Sequence, residues 1–63
     1  MYVIFVDSII EEYTVETEDY IQAVHIACSN SKRRGVISTT LYDNGIVIDT
    51  YEQGMSVIDE GWD

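Results

Sequence analysis

The chain predicts an α+β domain: a four- or five-stranded antiparallel sheet with one helix packed on one face, in the order ββαββ with a short fifth strand. Three observations carry this expectation. Two β-rich stretches flank a segment of helical periodicity, Asn44-Gly45 separates two β-branched runs, and 63 residues leave room for only one layer on another. Twelve acids against three bases, a net charge of -9 and 46% hydrophobic residues describe a single acidic domain spanning residues 1–63. A chain this apolar folds despite its charge, yet at this length it buries only about 60% of the surface its unfolded form exposes.

Tyr2 to Val6 is an apolar run rich in β-branched and aromatic types, which suits a buried strand with Val3 and Phe5 in the core. Asp7-Ser8 is the expected turn, since both side chains can bond the backbone locally. A second strand follows from Ile9 to Glu16, with Tyr13 and Val15 inward and Glu12, Thr14 and Glu16 outward. Thr17 offers an N-cap hydroxyl, and Glu18 and Asp19 favour the positive end of a helix dipole, so a helix is expected from about Glu18 to Arg33. On a helical wheel Tyr20, Ile21, Val24, Ala27 and Cys28 share one side, with Glu18, Gln22, His25 and Ser29 opposite. Lys32, Arg33 and Arg34 complement the helix end, and Gly35 suits the left-handed position after it.

Val36 to Tyr42 and Ile46 to Tyr51 flank Asn44-Gly45, the preferred dipeptide of a two-residue type I′ hairpin. With Asp43 opposite Ile46, an unbroken register sets Tyr42 opposite Val47, Leu41 opposite Ile48 and Thr39 opposite Thr50. Ile37, Leu41 and Ile48 would then join the core, leaving Tyr42 and Tyr51 on an outer, aromatic face. Gln53-Gly54 is a further turn, returning Met55 to Ile58 as a short last strand before an acidic tail that holds Trp62.

No catalytic constellation is legible. His25 and Cys28 lie three apart on the helix, where a solvated histidine and a small core thiol are the ordinary readings, and the chain is expected not to be an enzyme. One Cys and one His cannot make a zinc site, and Asp43-Asn44-Gly45 runs at once into Ile46-Val47-Ile48 where a calcium loop needs further oxygen ligands, so no metal or other cofactor is expected. A lone cysteine excludes an internal disulfide, and the five-residue apolar run at Tyr2 is too short to span a membrane or serve as a leader. The expected location is the cytoplasm, with no membrane partner.

The acids are spread over every element while the bases are consecutive. Direct nucleic-acid binding is therefore not expected, because phosphate neutralisation needs many Lys and Arg. Two readings of the charge stand side by side. It keeps a small protein soluble, or it addresses a basic partner. Carboxylates two apart on a strand lie about 6.6 to 6.8 Å apart, comparable to successive phosphates of a nucleic acid, so a protein so decorated can occupy a basic groove. Glu11, Glu12 and Glu16 on the second strand and Asp43, Asp49 and Glu52 on the hairpin are the candidate partner-binding carboxylates, with Tyr42 and Tyr51 as aromatic contacts.

Gln22-Ala23 with Ile26-Ala27, the Gly35-Val36 restart, the Asn44-Gly45 hairpin and the Tyr51-Glu52-Gln53-Gly54 turn together resemble small phage anti-CRISPR proteins, over roughly residues 13 to 58. The resemblance implies a short intracellular inhibitor without enzymatic activity that acts by occupying a surface of a CRISPR complex or another defence target such as a restriction enzyme. Some proteins of this pattern use lysines on their partner; this chain has one, so its acidic face would meet a basic, nucleic-acid-binding host surface. The alternative is an accessory or self-dimerising interaction subunit, pairing through Tyr42, Tyr51 and the hairpin edge, whose acidity serves only solubility.

Overall fold

The computed structural model describes residues 1–57, as β1 (Tyr2–Ser8), β2 (Glu12–Thr17), α1 (Tyr20–Ser31), β3 (Val36–Asp43), β4 (Ile46–Glu52) and β5 (Met55–Ser56). The strands form one antiparallel sheet in the order β2-β1-β3-β4-β5, and α1 packs on one face, chiefly against β3 and β1. The α+β class and the ββαββ order with a fifth strand stand as expected. Residue 58, expected in the last strand, and Trp62 lie outside the described residues.

Central β1 takes the opposite phase to the one expected. Ile4 and Val6 are fully buried under α1, while Val3 and Phe5 are half-buried on the other face. An unbroken apolar run has no alternation to choose its inner face. The partners choose it: Ile4 lies between Val15 and Leu41, and Val6 between Tyr13 and Thr39. The turn also falls later than Asp7-Ser8, because the Ser8 hydroxyl accepts the N–H groups of Ile10 and Glu11 and donates to the Glu11 carbonyl.

The helix is shorter than the expected Glu18 to Arg33, and its N-cap is Asp19, whose carboxylate accepts the Ile21 N–H, while the Thr17 hydroxyl accepts the Asp19 N–H one step earlier. Lys32 caps the other end, so Arg33 and Arg34 lie beyond the last turn. The buried stripe is Ala23, Ala27 and Ser31, small residues four apart that bring the helix close to the sheet. Ile21, two residues or about 200° from Ala23, consequently faces solvent at 73% exposure. Val24 and Cys28 pack at the margin of the core, and the Tyr20 ring leans on Tyr2 at a centroid distance of 5.6 Å.

Asn44 (φ 53°) and Gly45 (φ 87°) form the expected hairpin turn, with Asp43 opposite Ile46 and Tyr42 opposite Val47. The register then shifts. Leu41 faces Asp49, Thr40 faces Thr50 and Thr39 faces Tyr51, leaving Ile48 as the extra residue of a bulge. That one residue carries Tyr51 to the helix side, where it is 8% exposed, and leaves Ile48 out of the core. Ile37 is likewise exposed, at the irregularity where Asp7 pairs with Ser38 and Ser8 with Val36. The core is Ile4, Val6, Ala23, Ala27, Leu41 and Tyr51, with Thr39 donating its buried hydroxyl to the Ala27 carbonyl at 2.8 Å.

The turn before β5 is fastened to the end of α1. The Gly54 N–H donates to the Ser31 hydroxyl at 2.7 Å, that hydroxyl donates to the Cys28 carbonyl, and the Cys28 thiol donates to the Gly54 carbonyl. Gly54 has φ 84°, and a Cβ there would fall 2.5 Å from Lys32 Cε, so backbone strain and the lysine stem both favour glycine.

Candidate functional site

Side chains alternate along a strand, and paired residues share a face, so the registers map the side of the sheet that α1 leaves uncovered. Across β2, β1, β3 and β4, one row reads Glu16, Val3, Tyr42, Val47 and the next Thr14, Phe5, Thr40, Thr50. A third row carries Glu12, Asp7 and Ser38, with Glu52 and Met55 paired at the β4–β5 side of the same face. The open face thus has an apolar centre of Val3, Phe5, Tyr42 and Val47. Carboxylates border it at Glu12 and Glu16 on β2, Asp7 on β1 and Glu52 on β4. An ordinary antiparallel sheet presents polar residues to water on its free side; this one keeps half-buried Val3, Phe5 and Tyr42 there, beside Val47 at 47% exposure.

Asp7 and Glu12 are directly opposite one another, an arrangement in which like charges destabilise a sheet. Glu12 and Glu16 stand four residues apart on one side of β2, about 13 Å by the strand rise, near twice the spacing considered for successive phosphates. The bases lie elsewhere. Arg33 donates to the Tyr13 hydroxyl at 2.9 Å and to the Asn30 side-chain carbonyl at 3.4 Å, and Lys32 covers Gly54.

Of the candidate partner-binding residues, the fold brings Glu12, Glu16, Tyr42 and Glu52 together on this open face. Glu11 is exposed in the β1–β2 turn, and Asp43 sits at the hairpin end opposite Tyr2. Asp49 and Tyr51 are on the helix side. The Asp49 carboxylate accepts the Thr50 N–H and the Ser56 hydroxyl, and Tyr51 belongs to the core, which corrects its expected outward position. Burial first, and then the neighbouring Asp49 carboxylate, push the Tyr51 phenol up to about 12. Asp7, Val3, Phe5 and Val47 were not among the candidates. Val47 was already placed opposite Tyr42 by the hairpin register, whereas the period-two phase of β1 could have found Val3, Phe5 and Asp7 only with the β2 and β3 registers in hand.

His25 is exposed on α1, whereas the Cys28 thiol, three residues on, is engaged by the Gly54 carbonyl. Among the described residues no group of three or more His, Cys, Asp or Glu side chains is placed to hold a metal ion, and no helix is long and apolar enough to cross a membrane. No family model matches the chain, and no curated protein or solved structure matches it.

Proposed function

We propose that this chain is a small acidic inhibitor that acts without catalysis, by binding the basic, nucleic-acid-binding surface of a host defence protein or complex of the CRISPR or restriction kind. The observation that carries the reading is the sign of the open face: Asp7, Glu12, Glu16 and Glu52 border it and no Lys or Arg lies on it. The fold accepts the Asp7–Glu12 juxtaposition there, a repulsion that solubility alone does not require. A negative field over this face speeds encounter with a positive groove and mimics the charge of the nucleic acid that groove was built for.

The test is capture of the partner from the host on the immobilised full chain, followed by competition. The recovered protein is expected to be basic, and its nucleic acid is expected to displace it from the chain. Reversing Glu12, Glu16 and Glu52 together to Lys should weaken capture at least tenfold, although a single exposed pair contributes only about 0.2 to 1 kcal/mol. An acidic partner, or capture indifferent to the triple reversal and to competing nucleic acid, overturns the reading.

One observation favours a second reading, a self-dimerising subunit. β5 pairs only with Tyr51 and Glu52, so the outer edge of β4 from Ile46 to Asp49 is free among the described residues, and Ile46, Val47 and Ile48 are exposed there. The bulge at Ile48 works against it, since bulges twist an edge away from further pairing.

A further inference from the structure

We infer that the open face docks one amphipathic, basic helix of the partner, with its apolar stripe on Val3, Phe5, Tyr42 and Val47 and its flanking Lys and Arg side chains on Asp7, Glu12, Glu16 and Glu52. This rests on the reading above and adds to it the shape of what is bound. A surface that repelled or attracted by charge alone would have no use for an apolar centre; protein interfaces combine such a centre with a polar rim.

Three features select a helix of that chemistry. The first is width. Val3, Tyr42 and Val47 sit on three adjacent strands, so the apolar patch spans two inter-strand steps, about 10 Å. That matches the diameter of one helix with its side chains, about 10 to 12 Å. The second is the position of the charges. Glu16 on β2 lies beside Val3 in the apolar row, and Glu12 on β2, Asp7 on β1 and Glu52 on β4 line the third row, so a helix along the strands meets one carboxylate beside its apolar stripe and three across the end of it. The third is the layer that is missing. α1 covers one face, and a partner helix on the other completes a three-layer arrangement in which the sheet is buried on both sides.

Charge also disposes of the other occupants. A nucleic acid would bring phosphates against four carboxylates. A second copy placed face to face by a two-fold axis would set this acidic rim against itself. A basic amphipathic helix, by contrast, is an element that nucleic-acid-binding proteins present to a groove, so covering it blocks their ligand directly.

The experiment uses the full chain, labelled with nitrogen-15, and two synthetic peptides of identical leucine and lysine composition. One is patterned as a helix with a single leucine stripe flanked by lysines, and the other is its scramble without a stripe. The patterned peptide is expected to bind at least tenfold more tightly than the scramble, with the largest amide shifts on β1, β3 and β4 around Val3, Phe5, Tyr42 and Val47. Tyr42→Ala should weaken binding at least fivefold. Val47→Lys, at an exposed position that the fold does not need, should do the same with the chain's fold, checked by circular dichroism, unchanged. Equal binding of both peptides, with shifts scattered over all acidic residues, overturns the docking face and leaves the charge-based function standing. Binding of neither peptide overturns both. Shifts centred on Tyr20, Ile21 and Val24 would place the contact on the outer side of α1 and overturn this assignment.

Discussion

Ile4→Ala and Phe5→Ala are adjacent truncations on the same central strand, and the structure predicts that they behave very differently. Ile4 is fully buried between Val15 and Leu41 under the helix, so its truncation should cost ~2 to 5 kcal/mol, from lost transfer energy and a cavity the sheet cannot close. A domain of this length has a total stability of about 3 to 9 kcal/mol at 0.05 to 0.15 kcal/mol per residue, so Ile4→Ala consumes most of it. Phe5 is half-buried on the open face, with no layer above it. Of the roughly 1.5 to 3 kcal/mol for full burial of such a side chain it stands to lose a part, about 1 kcal/mol. Urea unfolding followed by far-ultraviolet circular dichroism measures both, with the m-value checking that the unfolded reference is unchanged. A Phe5→Ala variant destabilised as much as Ile4→Ala would show that the phase of β1 is wrong, and with it the apolar centre of the open face.

Ser31→Ala removes the acceptor of the Gly54 N–H and the donor to the Cys28 carbonyl, and should cost about 1 to 3 kcal/mol; amide exchange should show Gly54 losing protection before the core strands do. The Tyr51 phenol, raised from 10 to about 12 in the folded state, holds its proton more tightly there than in the unfolded chain. Its contribution is therefore complete below pH 10 and is lost as pH rises from about 10 to 12, and Tyr51→Phe should flatten the alkaline limb of a pH–stability curve relative to the parent. Sedimentation over a dilution series tests the β4 edge left free among the described residues: the bulge at Ile48 predicts a monomer throughout, and a dimer abolished by Val47→Pro would establish the self-pairing subunit instead.

The hairpin, the helix and the order of elements along the chain were legible because each rests on local chemistry: Asn44-Gly45 selects its turn, and a polar cap precedes a helical repeat. What was not legible depends on neighbours distant in sequence. Five consecutive apolar residues in β1 carry no alternation, so only β2 and β3 decide that Ile4 and Val6 point inward. A single extra residue at Ile48 reverses the face of Tyr51, and no residue type at that position announces a bulge. Ile21 and Ala23 compete for the buried side of α1, and the smaller residue wins because close approach to the sheet needs Ala23, Ala27 and Ser31. The candidate site inherits these limits. Glu12 and Glu16 follow from plain alternation in β2, whereas the apolar centre they border could be assembled only from the full set of registers.

The carboxylates that border the open face stand apart from the core and from the bonds that fasten the last turn, and this makes salt a means of separating their two effects. The core and the bonds among Ser31, Cys28 and Gly54 involve no ion pair, while Asp7 faces Glu12 and the chain carries a net charge of -9. Raising ionic strength from about 0.01 M to 1 M shortens the Debye length from about 30 Å to 3 Å, well inside the roughly 13 Å between Glu12 and Glu16. Self-repulsion then falls, and the melting temperature of the free chain should rise. Each 1 kcal/mol is read as about 4 to 8 °C in a domain of this size. The same screening removes the attraction between the open face and a basic helix, so the dissociation constant for the patterned peptide should rise over the same salt range. Opposite slopes are the expected result. A melting temperature that falls with salt would mean that the charges support the fold, and peptide binding that ignores salt would mean that they do not serve the partner.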